Sequence, residues 1–293
     1  MRVAISGTSG LIGGALARAL RAEGSTVLSI SRNPAADIRW DPTRGTLDAR
    51  AFDSLDAVVH LAGAPIARRW TPARRREILE SRVQSTTLIA GALASSANAP
   101  PVWVSASAIG IYGSCGDELL TESSVAGVGF LADVVRAWEA ATAAALAAGA
   151  RVVNLRTGIV LSAEGGALPK MLQPFRFGLG GPIGNGRQWM SWISLHDLVR
   201  AIRFVLAGDL HGPVNAVAPG PVTSTEFART LGGVLSRPAI VRVPALALRA
   251  VFGAMANETL LASQRVVPGR LLASGFGFDD PALAGALRRE LGV

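Results

Sequence analysis

Three residue types are nearly absent from this chain, and each gap excludes something. Cys115 is the sole cysteine, so neither an intrachain disulfide nor a cysteine-based zinc site can form, and a lone thiol is ordinarily a small buried or loop residue. Lys170 is the sole lysine and Tyr112 the sole tyrosine. The net charge of +8 therefore comes almost wholly from arginine. Those arginines are scattered through amphipathic segments, the densest group being Arg68, Arg69 and Arg74 to Arg76, with no nucleic-acid motif or interleaved aromatics beside them. A solvated helix face is the expectation, and no nucleic-acid partner. Long uncharged apolar runs are missing too. Arginines interrupt even Ala239 to Ala256, and the N-terminus enters a strand without a signal-peptide pattern. These features predict a soluble, cytoplasmic protein with no membrane partner.

What is present is apolar. Hydrophobic side chains make up 49% of 293 residues, enough for a sizeable core in one large domain or two unequal lobes. The opening stretch, MRVAISGTSGLIGGALARAL, organises the rest. An apolar run at Val3 to Ile5 meets Gly7, Gly10 and Gly13, after which apolar residues recur at Ile12, Ala15, Leu16, Ala19 and Leu20. This is the pattern of a strand, a tight turn and a helix with one apolar stripe. Glycines let backbone N–H groups approach a ligand, and a helix N-terminus supplies unpaired donors and a positive dipole end for a pyrophosphate. Leu11 and Ile12 follow the turn and are expected to border the same ligand. A second strand, Thr26 to Ile30, leads to Ser31 and Arg32, where a fold binding NAD usually places an acid on the ribose hydroxyl. No acid stands there. Ser31 can donate to a phosphate oxygen and Arg32 can pair with it, which favours NADP(H) over NAD(H).

Further on, Ile38 to Trp40 is a possible short strand. Ala57 to Leu61 is a fully apolar one, opening at Leu61, Ala62 and Gly63 onto the same crevice, with His60 expected as a hydrogen-bonded core residue. Thr71 and Pro72 cap and open a long helix reaching about Leu93. Val102 to Ser105 is followed by SASAIGIYG, and Arg151 to Leu161 reads as one strand. The glycine-rich, aromatic stretch from Gly178 to Ile193 is either a wall of a substrate cleft, with Arg187, Gln188 and Trp189 as contacts, or a tight hairpin with core tryptophans. Ser194 or Asp197 is expected to cap a helix reaching Leu206. Val214 to Val217 reads as a strand, and Thr223 to Glu226 as a capping box.

The G-x-x-G-x-x-G turn, the R-W…E…S-R segment at Arg69, Trp70, Glu77, Ser81 and Arg82, the SASAIGIYG turn and the tail LLASQRVVP…GFGF resemble an extended short-chain dehydrogenase/reductase. The resemblance is to epimerase family 39U of the NAD-dependent epimerase/dehydratase superfamily. It implies an α/β fold: a doubly wound parallel-sheet Rossmann domain with a smaller, C-terminal α+β substrate lobe. Residues 1–160 would bind NADP, with 194–220 returning to that domain, and residues 161–193 and 221–293 would form the substrate lobe. The resemblance also implies that Glu77 and Arg82 touch ribose or phosphates and that Val160 lies near the nicotinamide. Typical relatives carry Y-x-x-x-K on the helix after SASAIGIYG. Here Leu131 and Val135 take those places when Glu139 is aligned with the acid that follows the motif. The usual serine position, four before the tyrosine of the turn, is held by Ala108. Any proton transfer therefore falls to Ser107, Tyr112 or a residue of the substrate lobe. Two functions remain: an NADP(H)-dependent oxidoreductase or epimerase acting on a small carbonyl or sugar-like molecule, or a non-catalytic NADP(H)-responsive sensor. Nothing in the sequence indicates an oligomer, and no metal site is expected.

Overall fold

A computed structural model describes all 293 residues. Eight strands form the main sheet: β1 (Arg2–Ser6), β2 (Thr26–Ser31), β3 (Ile38–Asp41), β4 (Thr46–Leu47), β5 (Ala57–His60), β6 (Val102–Ala108), β7 (Arg151–Thr157) and β8 (Gly212–Ala216). Their spatial order is β8-β7-β6-β5-β1-β2-β3-β4. All pairings are parallel except that of β3 with the two-residue β4. β1 sits between β2 and β5, with Ile5 opposite Ser29 on one side and Val59 on the other. The chain reverses its direction of winding at this point, so the carboxyl ends of these strands border a crevice.

Strand alternation sorts the core into two layers. Val3, Ile5, Val59, Val104 and Leu155 face one side and pack against helices Leu11–Ala22 and Leu195–Ala207. Ala4, Val58, Trp103 and Val152 face the other, against helices Pro72–Ser95 and Ala143–Ala147. Each apolar face is buried by a helix stripe of matching period, which is why a parallel sheet of this kind is covered on both sides. Phe276 and Leu271 bring the C-terminal tail back onto the first layer. A third core, containing Leu172, Phe175, Trp192, Phe227, Leu231 and Leu287, lies among helices Leu168–Arg176, Ser224–Val234 and Leu283–Leu291.

Several local expectations are met by identifiable atoms. Thr71 accepts the Arg74 amide at 3.2 Å, with Pro72 opening the helix, and Ser194 caps the helix Leu195–Ala207 through the Asp197 amide at 3.1 Å. Thr223 and Glu226 form the reciprocal capping box. One expectation is corrected: Arg151 to Leu161 is not continuous. The chain leaves the sheet after Thr157, and Ile159–Leu161 pairs with Trp192–Ser194 instead. Gly158 makes the crossing, where a Cβ would lie 2.6 Å from the Ser191 carbonyl oxygen. No helix is long and apolar enough to cross a membrane.

Candidate functional site

The glycine turn is built by close backbone contact. Gly7 adopts φ +79°, and its carbonyl accepts the Gly10 amide at 2.9 Å. A Cβ on Gly13 would lie 2.3 Å from that same carbonyl oxygen, so the start of helix Leu11–Ala22 rests directly on the strand end. The helix begins without a side-chain cap at Gly10. Its first N–H groups are left for solvent or an anion.

A cavity of about 390 Å³ opens from this turn toward β2. Gly7, Ser31, Arg32 and Ala62, all singled out by the sequence, line it together with Thr8, Ser9, Asn33 and Trp40, which were not. Ser31 Oγ accepts the Asn33 amide at 3.0 Å, leaving its proton free to donate, and Arg32 is exposed beside it. No carboxylate lines the cavity. Leu11, Ile12, Leu61 and Val160 are brought together as half-buried side chains along the edge of the first core layer. A Cβ on Gly165 or Gly166 would lie 3.6 or 3.4 Å from the Leu11 side chain.

The wall made by Leu61 and Ala62 is fixed from beneath. Ser6 Oγ accepts both their amides, at 3.1 and 3.2 Å, which fills its lone pairs and directs its proton to His60 Nδ1 at 2.6 Å. The imidazole proton then sits on Nε2 and is donated to Ser85 Oγ at 2.9 Å, while Ser85 donates to the Ser81 carbonyl at 2.7 Å. His60 has no exposed surface, and burial, reinforced by the Arg82 charge, pushes its pKa down to about 3. It is a neutral structural residue.

Arg82 lies against Gly63 and donates to the Ala64 and Ile78 carbonyls at 3.1 and 3.0 Å. Its guanidinium sits 5.0 Å from the Trp138 ring centre, and burial, with the Arg74 charge, lowers its pKa to about 10. Glu77 is exposed and pairs with Arg74 at 2.5 Å.

Ser107 and Tyr112 belong to a polar network further along the sheet, with Ser107 on the same face of β6 as Trp103. Ser107 donates to Glu139 Oε1 at 2.6 Å. Arg156 meets both Glu139 oxygens, at 2.8 and 2.9 Å, and donates to the Tyr112 hydroxyl at 3.0 Å. Tyr112 in turn donates to Asn215 Oδ1 at 2.7 Å. The tyrosine has no exposed surface, and burial raises its pKa against the opposing Arg156 charge. Glu122 accepts the Asn215 and Arg270 amides at 3.0 and 3.2 Å, tying the C-terminal tail to the same network. Leu131 and Val135 are buried, and the Leu131 amide is held by Glu258 of the tail at 2.8 Å.

In the second lobe, Trp189–Met190 pairs with Val222–Thr223, so the two tryptophans do not form a hairpin together. Trp192 is core. Trp189 is half-buried and donates to Asp117 at 2.8 Å, with the Arg265 guanidinium 4.4 Å above its ring and the buried Arg265 Nε lacking a protein partner. Gln188 is buried, its amide donating to the Ile183 and Leu260 carbonyls. Arg187 projects into solvent. Arg265 lies in the tail segment the sequence had marked, but no local pattern distinguished it from the other arginines.

The geometry is matched by comparison with known proteins. The sequence profile of the NAD dependent epimerase/dehydratase family matches residues 3–217, and that of a domain of unknown function matches 243–290. An epimerase family protein of Mycobacterium tuberculosis is 45% identical over 290 residues, covering 97% of this chain and 96% of the relative. Human epimerase family protein SDR39U1 is 40% identical over 294 residues, covering 98% and 99%. The crystal structure of that human protein with NADPH superposes with a TM-score of 0.91 at 36% identity, covering 100% of both chains. The chain belongs to the NAD-dependent epimerase/dehydratase family and, within it, to epimerase family 39U.

Proposed function

We propose that this protein binds NADP(H) in the crevice beside the glycine turn and is an oxidoreductase or epimerase for a small carbonyl or sugar-like substrate. The observation that carries the cofactor reading is the end of β2. Ser31 and Arg32 border the cavity there, and no carboxylate competes for a ribose 2′-phosphate. The human relative crystallised with NADPH supports the same cofactor.

In this reading the turn Gly7 to Gly13 and the first turn of the helix, with Leu11 and Ile12, hold the pyrophosphate. Ser31 and Arg32 hold the 2′-phosphate. Leu61, Ala62 and Gly63 flank the adenosine, Glu77 and Arg82 reach ribose or phosphates, and Val160 bounds the nicotinamide end. When bound, the cofactor supplies reversible hydride transfer at nicotinamide C4. Trp189 contacts substrate, with Gln188 holding the chain behind it through the Ile183 and Leu260 carbonyls and Arg187 at its solvent edge, and Arg265, stacked on Trp189, adds a cation for an anionic substrate group. Ser107 and Tyr112 are the hydroxyls assigned to proton movement.

One observation favours the second reading, a non-catalytic NADP(H)-responsive sensor. Both hydroxyls are already spent on Glu139 and Asn215, and buried Leu131 and Val135 stand where relatives keep tyrosine and lysine. The test is incubation with NADPH and a panel of ketones, quinones and nucleotide sugars, following nicotinamide absorbance and analysing sugar products for epimers. Turnover that falls in Tyr112→Phe supports the catalytic reading. Silence in both assays with NADPH affinity intact supports the sensor.

A further inference from the structure

Outside the buried clusters, residues 177–183 and 237–252 expose large apolar side chains and arginines together. Residues 177–183 and 240–243 run side by side: Val241 and Val243 donate to the Gly180 and Pro182 carbonyls at 3.0 Å each, and Ile183 bridges to Val243. Phe177, Leu179 and Ile240 project from this pair, 81%, 60% and 81% exposed. The following helix, Ala245–Phe252, reads ALALRAVF and contains no buried residue; Leu246 and Val251 are 76% and 60% exposed. A concentration of large apolar side chains in water marks a contact surface.

The charge around it has one sign. Neither residues 165–187 nor residues 227–257 include an aspartate or glutamate. Arg176, Arg237, Arg242 and Arg249 frame the apolar residues, all exposed, and none takes part in any of the chain's ion pairs. Two copies of this face meeting about a two-fold axis would set like charges together, which disfavours self-association. The protruding side chains are mostly aliphatic and offer no stacking platform for bases. A partner with an anionic surface and an apolar interior answers both features.

We infer that this face docks on an anionic phospholipid bilayer, with Phe177, Ile240 and Leu246 entering the headgroup boundary and the four arginines meeting lipid phosphates. The chain then lies on the membrane without spanning it.

Co-sedimentation of the full chain with vesicles tests this. Phosphatidylcholine vesicles containing about a third phosphatidylglycerol should pellet the protein, pure phosphatidylcholine vesicles should not, and added salt should release it. Neutralising Arg237→Gln with Arg242→Gln should weaken partitioning on the order of 25-fold, and Phe177→Ser with Ile240→Ser should abolish pelleting. NADPH titration of each variant checks that it is folded. The inference is overturned if anionic vesicles leave the protein in solution, or if pelleting survives both double variants. Concentration-dependent dimerisation in analytical ultracentrifugation that disappears in Phe177→Ser would also overturn it, assigning the face to a second copy.

Discussion

Mild acid should destabilise this protein through one buried imidazole. His60 has no exposed surface, and its pKa is pushed from the ordinary 6.5 down to about 3. The unfolded chain takes up a proton near its ordinary pKa that the native chain refuses, so the stability contribution is complete above that value. It is lost as pH falls toward the folded pKa. Between about pH 7.5 and about pH 5 the protonation of unfolded His60 costs about 2 kcal/mol, at roughly 1.4 kcal/mol per pH unit below the ordinary pKa. Urea unfolding at the two pH values measures the loss directly. His60→Gln keeps a hydrogen-bonding side chain but cannot titrate, so its loss should be smaller by about 2 kcal/mol, the exposed histidines His196 and His211 being common to both chains. Equal losses in the two proteins would refute the assignment of a neutral imidazole held by Ser6 and Ser85. Because the same ring fixes Ser6 under the Leu61 and Ala62 amides, His60→Gln should also weaken NADPH binding at pH 7.5.

Gly13→Ala places a methyl against the Gly7 carbonyl and should lower both stability, by about 1 to 3 kcal/mol, and NADPH affinity, read by unfolding and by nicotinamide fluorescence. Gly91→Ala, inside helix Pro72–Ser95 with open space around its Cβ, should instead raise stability by about 1 kcal/mol in the same unfolding assay. Glu139→Leu strands Arg156 without its partner and should cost about 3 to 5 kcal/mol, much of it recovered in the double variant with Arg156→Met; a double-mutant cycle in urea reads the difference. Thr223→Ala removes the capping box and should cost about 1 kcal/mol in thermal unfolding.

What the sequence discloses of the fold follows from short-range signals. The opening strand and helix are legible because their apolar periods differ and the glycines fall between them. Thr71-Pro72 and Thr223 to Glu226 declare helix starts for the same local reason. His60 reads as core because it interrupts an apolar strand without any other ligand-type residue beside it. Gly158 hides its role, since the contact that demands a glycine comes from Ser191, in the link between Trp189–Met190 and Trp192–Ser194. The Ser107 environment depends on strand parity: Ser105 and Ser107 alternate with Ala106 and Ala108, so Ser107 shares the side of β6 that carries Trp103 and meets Glu139. Pattern matching to a serine motif does not carry that parity. The partners of Arg156 come from a helix, a loop and a turn that only the strand order brings together, and Arg265 reaches Trp189 across 76 residues of chain. Trp40, Thr8 and Ser9 carry no sequence signal of their place in the cavity, because cavity walls are made by packing and have no period of their own.

The central claim is that the crevice between the glycine turn and the end of β2 takes an adenine nucleotide bearing a 2′-phosphate. Parallel calorimetric titrations of the intact chain with NADPH and NADH test it most directly, repeated with Arg32→Ala. A charge-assisted contact to the phosphate should make NADPH about ten- to a hundredfold tighter, and the substitution should remove most of that preference while leaving NADH affinity almost unchanged. Equal affinity for the two nucleotides, or a preference for NADPH that Arg32→Ala leaves intact, would contradict the account.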